Sequence, residues 1–315
     1  MPDLFAPVEI GPLRLANRLV MAPMSRNRAD AAEAAHALTA KYYEQRAGAG
    51  LIVTEASPVS PQGRAGPGAP GIWSNAQVAG WRLTTQAVHA RGGRIFVQLW
   101  HAGKAWPGLE EIPAVVAQFA AAARNARDAE FDGVEVHAAN GYLIDRFLRD
   151  GSNRRADAYG GSVENRARFL IEVLDAVESS WERSRIGVRL SPVNPYNDMS
   201  DSDPQRTFAD LARRLGERGL AFLHVDESGD GFDWAAFRRC YAGTYIANGG
   251  YDRERAAAAL ASGHADLVSF GALYLANPDL VERFRAGAPL NRPDRTTFYG
   301  GGERGYTDYP ALAVR

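Results

Sequence analysis

Short runs of β-branched residues alternate with long amphipathic segments along the whole chain, and this alternation constrains the fold more than any other feature. It is typical of parallel strands joined by crossover helices. Eight strands are predicted, at residues 19–23, 50–56, 94–100, 133–139, 186–192, 221–228, 244–250 and 265–271. Helices are predicted between them, among others at residues 36–48, 78–92, 110–129, 203–219 and 252–263. Several of these helical runs end at the glycine expected of a C-cap.

Eight strand–helix units favour an α/β fold in which the strands close into a (β/α)8 TIM barrel. The main rival is a doubly wound open sheet, which would want a Gly-rich phosphate turn after its first strand. The segment that follows the first strand, "MAPMSRNRAD", contains no glycine. No linker, low-complexity segment or charge run marks a boundary, so residues 1–315 are predicted to form a single domain.

Composition limits the classes of partner. The chain has 36 Lys and Arg against 37 Asp and Glu, so it lacks the basic excess that would hold a nucleic acid. The N-terminus lacks the pattern of a secretory signal and no window approaches a membrane span, so we expect a cytoplasmic protein without a membrane partner. The single cysteine, Cys240, allows no internal disulfide and no cysteine zinc cage, and we predict no metal site.

Isolated polar residues break the apolar strands near their carboxyl ends. In "GVEVHAA", Val134 and Val136 face the helices, which leaves Glu135 and His137 on the inner side of the barrel. The same parity points four more side chains inward: Gln98, Arg189, His224 and Asp226. Barrel enzymes assemble their sites at this end. A buried histidine or glutamine is more often a satisfied core group, but a buried arginine is costly unless an anion or a polar ring meets it.

Glycines follow the last two strands, in "ANGGYD" and "FGALY". Their backbone N–H groups could approach a phosphate closely, and the helix after Asp252 adds its N-terminal dipole, although tight turns also use glycine for purely steric reasons. A phosphate anchor combined with a buried arginine and glutamine suits a planar, hydrogen-bonding cofactor with a phosphate tail. Flavin mononucleotide (FMN) fits this description.

Several motifs together give the chain a family likeness. They are "APGIWSNAQVAGW", "QLWHAGK", "FDGVEVHAANGYLIDRFL", "DGSNRRADAYGGSVENRARFL", "GVRLSP" and "ANPDL". With them the chain resembles the Old Yellow Enzymes, the FMN-dependent ene-reductases, from "LFAPVEIGPLRL" near its start to "FYGGGERGYTDYP" near its end. The resemblance implies a barrel that takes reducing equivalents from NAD(P)H and reduces activated C=C bonds.

The resemblance also implies roles for individual residues. His137 and Asn140 would hydrogen-bond the carbonyl oxygen of an α,β-unsaturated substrate, and Tyr142 would protonate its α-carbon after hydride transfer from the flavin to the β-carbon. Residues around the flavin ring would be Pro23, Met24, Ser25, Ala56, Gln98 and Arg189. Residues at the phosphate would be Gly249, Gly250 and Gly271, with Ala272 beside them, and residues near the substrate would be Trp100, Tyr299 and Gly66.

Four departures from the family pattern concern the same site. After the strand at 94–100, "HAGKAWPGLEEIP" passes almost directly to the next helix, where members carry a long segment with a capping hairpin. Ala272 stands where members have a phosphate-binding arginine, Ser25 where they have threonine or cysteine, and Gly66 where relatives commonly have a pocket tyrosine. Together these changes predict an enlarged or remodelled pocket and weaker retention of FMN.

The leading hypothesis is an FMN-dependent NAD(P)H:alkene oxidoreductase acting on enones, enals, nitroalkenes or maleimides, as a monomer or homodimer that also binds phenols. One alternative is a loop-deleted barrel, natural or engineered, with an opened pocket that serves as a ligand-binding scaffold. Another is a flavoenzyme of this kind repurposed for other redox chemistry. The affinity for FMN separates the first two hypotheses.

Overall fold

The computed structural model describes residues 3–313, and its centre is a closed barrel of eight parallel strands. A short antiparallel hairpin comes first, with β1 at Val8–Ile10 and β2 at Leu13–Leu15. The barrel strands are β3 (Leu19–Met21), β4 (Leu51–Pro58), β5 (Ile95–Trp100), β6 (Gly133–Ala138), β7 (Ile186–Leu190), β8 (Phe222–Asp226), β9 (Tyr245–Asn248) and β10 (Leu267–Phe270). They follow one another around the barrel, and β10 pairs with β3 to close it. All eight predicted strands are confirmed, and the open sheet is excluded.

Helices cover the outside of the barrel. They are α1 (Ala37–Glu44), α2 (Asn75–Ala90), α3 (Ile112–Asp128), α4 (Leu143–Leu148), α5 (Val163–Glu178), α6 (Pro204–Gly216), α7 (Trp234–Arg239), α8 (Arg253–Ala261), α9 (Ala272–Ala276) and α10 (Leu280–Ala286). The five predicted helical runs correspond to α1, α2, α3, α6 and α8. Gly92, Gly219 and Gly263 follow α2, α6 and α8 with positive φ, which confirms the predicted glycine stops.

The barrel interior is apolar near the amino ends of its strands. Phe96 and Phe222 pack there with ring centroids 5.6 Å apart, in one buried cluster with Val20, Val53 and Ile246. The β1–β2 hairpin adds apolar side chains to the same cluster and so closes this end of the barrel. We call this cluster the lower layer. The sequence did not predict the hairpin, because strands of three residues are too short to show a period.

The interpretation of residues 1–315 as one domain stays a prediction, and residues 1–2 and 314–315 fall outside the described range. Between residues 3 and 313, none of the helices has the length and apolar character needed to cross a bilayer.

Candidate functional site

Four polar side chains from four strands meet in the barrel above the lower layer. Gln98 Nε2 donates to Glu135 Oε1 at 2.7 Å, and Glu135 Oε2 lies 2.8 Å from His224 Nδ1. The other ring nitrogen of His224 lies 2.7 Å from Ser269 Oγ. These contacts confirm that Gln98, Glu135 and His224 point into the barrel, as the alternation predicted.

Arg189 and His137 form the next layer toward the carboxyl ends of the strands, where they lie side by side in the β6–β7 register. Arg189 Nη2 donates to Asn248 Oδ1 at 3.0 Å, whereas its Nε and Nη1 are buried without any hydrogen-bond partner in residues 3–313. The charge of Arg189 helps to hold the pKa of Asp226 below its usual value, although burial opposes this effect. Arg189 is therefore a buried cation whose guanidinium is only partly satisfied by the protein.

The turn after β6 presents Asn140 and Tyr142. Asn140 has φ of 59° and Gly141 has φ of 70°, a left-handed pair that asparagine and glycine tolerate best. The turn is anchored by Asn140 N donating to Ser191 Oγ at 2.7 Å and by Gly141 N donating to Asp145 Oδ2 at 2.9 Å. Asn140 Oδ1 is buried and finds no partner among the described residues.

Tyr142 directly precedes α4, and two aromatic rings fix its position. Its ring meets Trp100 edge to face at 5.0 Å between centroids and meets the His137 ring at 5.2 Å. Burial, with the nearby hydroxyls of Tyr196 and Tyr299, raises the pKa of Tyr142 to about 12. Burial and the charge of Arg189 hold the pKa of His137 well below its usual value. The site therefore holds a protonated phenol beside a neutral imidazole near neutral pH.

The segment after β3 carries Pro23, Met24 and Ser25, all half-buried. Glu55 of β4 anchors it, because one carboxylate oxygen accepts from Arg26 N at 2.8 Å and from Asn27 N at 3.0 Å. Burial raises the pKa of Glu55 to about 7.

Ala56, the next residue along β4, pairs with Gln98 in the β4–β5 register. Five of the predicted ring-flanking residues, Pro23, Met24, Ser25, Ala56 and Gln98, therefore lie on or directly after the adjacent strands β3, β4 and β5, whereas Arg189 lies on β7.

Tyr299 and Gly66 are set apart from the cluster around His137. Tyr299 is 66% exposed, although it lies near enough to affect the pKa of Tyr142. Arg26 and Arg28 hold the C-terminal segment that carries Tyr299, since both donate to the carbonyl oxygen of Phe298. Gly66 is exposed and lines a cleft with Lys104, and Lys104 and Ala65 also line the neighbouring cleft that holds Tyr142.

The glycines after β9 form a strained turn, with φ of 122° at Gly249 and 68° at Gly250. These angles require glycine on conformational grounds alone, and the phosphate role of the two residues stays a prediction. Asp252 caps α8 by accepting from Arg255 N at 2.8 Å, and Arg255 Nη1 donates to the carbonyl oxygen of Gly249 at 2.8 Å.

Gly271 and Ala272 follow β10, the strand that pairs with β9, at the same end of the barrel. A Cβ atom at Gly271 would lie 3.6 Å from Met24 Sδ, so this glycine borders the segment after β3. Ala272 begins α9 and is exposed.

The opening at the carboxyl ends of the barrel strands, here called the mouth, carries polar groups that fit a flavin. Arg189 offers two unpaired donors, and Gln98 Oε1 forms no hydrogen bond with any residue from 3 to 313, which leaves it as an acceptor. The pyrimidine edge of a flavin carries an N–H between two carbonyl groups, so it needs one acceptor and adjacent donors. His137 Nδ1 and Asn140 Oδ1 are also buried without a partner in that part of the chain. The site therefore has further polar atoms that could bind a second ligand next to the flavin ring.

The sequence analysis missed two supporting residues. One is Asn248, whose side-chain oxygen accepts from Arg189. It could have been found because it is a polar residue at the carboxyl end of a barrel strand, β9. Glu55 was missed because a carboxylate inside an apolar strand has no local signature of its backbone partners.

Comparison with known proteins agrees with this geometry. A model of the NADH:flavin oxidoreductase / NADH oxidase family matches residues 3–111 and 108–291. The chain is 43% identical over 361 residues to a putative 12-oxophytodienoate reductase 12 of Oryza sativa subsp. japonica, covering 98% of this chain and 88% of that protein. It is 43% identical over 358 residues to a probable flavin mononucleotide-dependent alkene reductase of Leishmania infantum, covering 98% and 97%.

Solved structures show the same fold. Morphinone reductase in complex with tetrahydroNAD superposes with a TM-score of 0.96 at 42% identity, covering 99% of this chain and 98% of that one. An old yellow enzyme homologue from Zymomonas mobilis superposes with a TM-score of 0.95 at 41% identity, covering 99% and 100%.

The comparisons also confirm the shortened loop. The two pieces of the family match meet at residues 108–111, inside the β5–α3 loop, and the alignments of 361 and 358 residues are longer than the 315-residue chain. The relatives therefore carry a segment here that this chain lacks.

Proposed function

The chain belongs to the NADH:flavin oxidoreductase / NADH oxidase family, and from that premise we propose that it is an FMN-dependent NAD(P)H:alkene oxidoreductase. Its substrates would be activated alkenes: enones, enals, nitroalkenes or maleimides. When bound, FMN would carry hydride from NAD(P)H to the alkene. The names of the alkene reductase and morphinone reductase relatives support this assignment.

One observation carries the proposal: buried polar groups from β6, β7 and the turn after β6 converge at the mouth without protein partners. They are Arg189 Nε and Nη1, His137 Nδ1 and Asn140 Oδ1. Leaving such a group unpaired costs about 1–3 kcal/mol, and here four such atoms converge on one place where a polar ligand could pair with them.

The residues that would hold FMN fall into three groups. Arg189 and Gln98 would meet the polar edge of the ring, with the donors and the acceptor that the edge requires. Small and half-buried side chains would line the ring: Pro23, Met24, Ser25 and Ala56. Backbone N–H groups would meet the phosphate at Gly249, Gly250 and Gly271, next to Ala272.

His137 and Asn140 would bind the oxygen of the activated alkene. Negative charge builds on that oxygen during reduction, so two fixed donors stabilise the transition state more than the bound substrate. The lowered pKa of His137 keeps the imidazole neutral, and a neutral ring still carries one N–H to donate. Asn140 would donate through its side-chain nitrogen, and the bond from its backbone N–H to Ser191 Oγ holds the turn that carries it.

Tyr142 would supply the proton to the α-carbon. Its pKa of about 12 keeps the phenol protonated, and Trp100 and His137 hold the ring on two sides. A weak acid placed next to the oxygen-binding pair can protonate a carbanion-like carbon while remaining fully loaded at neutral pH. Trp100 and Tyr299 would border the substrate, and Gly66 would lie at its outer edge.

The shortened β5–α3 loop and the exposed Ala272 favour a second candidate: a barrel of this family with an opened pocket and weak FMN retention, which binds phenols without efficient turnover. We further propose a cytoplasmic monomer or homodimer, and the single cysteine, which leaves no internal disulfide, supports this location.

The test starts from the visible spectrum of the purified protein. Addition of NADPH without oxygen should bleach the flavin bands, and cyclohexenone should restore them. A protein that cannot take up added FMN would contradict both candidates, whereas FMN binding with phenol charge-transfer bands but no turnover would favour the second.

Substitutions then test the roles of the residues. Tyr142→Phe should slow cyclohexenone reduction by about 10²-fold and nitroalkene reduction much less, because solvent can protonate the nitroalkane anion. Equal losses for both substrate classes would contradict a proton-donor role for Tyr142.

His137→Ala with Asn140→Ala should raise the KM for cyclohexenone and leave bleaching of the flavin by NADPH largely intact.

A further inference from the structure

A buried chain of hydrogen bonds runs beneath the mouth from β5 through β6 and β8 to β10. It links Gln98, Glu135, His224 and Ser269 over three contacts of 2.7, 2.8 and 2.7 Å. Each of the four residues is at most 2% exposed. Gln98 and Ser269 are the two ends of these linked hydrogen bonds, and Gln98 Oε1 forms no hydrogen bond with any residue from 3 to 313.

The carboxylate of Glu135 gives the chain a direction. An ionised carboxylate only accepts hydrogen bonds, so the amide nitrogen of Gln98 must face Glu135 and the amide oxygen must face away. By the same rule His224 donates through Nδ1 and accepts from the Ser269 hydroxyl. Burial lowers the pKa of His224, which fits a neutral ring with one donor and one acceptor.

We propose that Glu135 is a positioning residue that fixes the Gln98 amide oxygen toward the bound cofactor, an inference that rests on the proposed function. An amide can present either its oxygen or its NH2 group, and the two differ by a simple rotation. The flavin pyrimidine edge carries an N–H, so only the oxygen completes a hydrogen bond with it. Arg189 already supplies the donors on this side of the barrel.

Glu135→Gln keeps the size and shape of the side chain but no longer forces the Gln98 amide into one orientation. The new amide can accept from Gln98 as the carboxylate does, or it can donate to Gln98 and reverse it, because His224 can change its tautomer to suit either case. Gln98 would then present oxygen and NH2 with similar ease. The variant therefore separates orientation of Gln98 from the presence of Gln98.

The experiment measures dissociation constants of the full-length apoprotein for FMN and for FMN methylated at ring N3. The methyl group removes the N–H, so the wild-type protein should bind the methylated cofactor at least about tenfold more weakly. In Glu135→Gln the Gln98 oxygen would face the ring in about half of the molecules, so FMN should bind about twofold more weakly and this ratio should fall by about the same factor. Ser269→Ala is the matched control, because it shortens the same chain at the far end and should keep the wild-type ratio.

A folded Glu135→Gln protein that keeps the wild-type ratio would overturn the inference. A ratio near one in the wild type would also overturn it and leave FMN binding intact. Failure of the wild type to bind FMN would instead remove the proposed function, and the inference with it.

Neutron diffraction on the FMN-loaded wild type gives a test that needs no variant. The Gln98 amide deuterons should point to Glu135, and deuterons pointing to the flavin would contradict the proposal.

Discussion

The two halves of the barrel interior follow one alternation of side chains and have opposite character. The lower layer around Phe96 and Phe222 is apolar, and the β1–β2 hairpin covers it. The upper half holds Arg189 and His137, and Arg189 Nε, Arg189 Nη1 and His137 Nδ1 are buried without partners within the described residues. The lower half stabilises the fold by burial, whereas the upper half leaves hydrogen bonding unmet for a ligand. Substitutions in the two halves should therefore have separable effects.

Removal of a lower-layer ring should give the largest effect. Phe222 packs against Phe96 and fills the space over Gly187, where a Cβ atom would come within 2.2 Å of its ring. Phe222→Ala should lower the free energy of unfolding by about 3–5 kcal/mol in urea denaturation of the apoprotein, and Phe222→Leu by less. The folded variant should bind FMN with wild-type affinity. A large loss of affinity would show that the halves are not separable.

Arg189→Met should have the reverse signature. Loss of charge-assisted hydrogen bonds to the ring should weaken FMN binding by roughly 10- to 150-fold in a fluorescence titration. The apoprotein should be as stable as the wild type or more stable, because a poorly satisfied buried cation is gone.

Arg46 supplies the matched control for Arg189, since it is fully buried and donates to the carbonyl oxygens of Tyr42, Tyr274 and Leu275. Arg46→Met should cost stability and spare FMN affinity. A destabilised Arg189→Met apoprotein with unchanged FMN affinity would reverse our assignment of the two arginines.

Ala272→Arg should sharpen the comparison from the side of the ligand. Ala272 is exposed at the start of α9, and the family pattern has arginine here. A new charged contact to the phosphate should tighten FMN binding by about tenfold and leave riboflavin binding unchanged, because riboflavin lacks the phosphate. Ala272→Gln is the uncharged control. Equal gains for FMN and riboflavin would place the phosphate elsewhere.

The smallest effect concerns pH. His137 stays neutral because its pKa is depressed, and Tyr142 stays protonated below its pKa of about 12. The oxidative half-reaction with cyclohexenone should therefore be flat from about pH 6 to 9. Below about pH 6.5 His137 binds a proton in the unfolded chain and stays neutral in the folded chain. The free energy of unfolding should therefore fall as the pH decreases. A rate step near pH 6.5 would show that the imidazole titrates in the site.

The fold was largely predictable because each strand–helix unit carries its own periodic signal. All eight barrel strands were predicted, whereas the β1–β2 hairpin was missed. The hairpin is stabilised by its contacts with the lower layer, and its three-residue strands carry no periodic signal.

Parity predicted which strand residues point into the barrel, but their hydrogen-bond partners could not be predicted. Gln98, His137 and Arg189 were expected to point inward, and they do. Nothing in the local sequence says that Gln98 meets Glu135 or that Asn248 meets Arg189, because those contacts join strands far apart in the chain. The place of Gly66 near the substrate stays a prediction: it lines a cleft with Lys104, which also lines the cleft that holds Tyr142.

The most direct test of the central claim is a crystal structure of the protein with FMN. We predict that the flavin ring lies over the upper half of the barrel, that Arg189 Nε and Nη1 and Gln98 Oε1 find their hydrogen-bond partners on it, and that His137 and Asn140 face its open side. A flavin bound elsewhere, with those atoms of Arg189 still unpaired, would contradict the account.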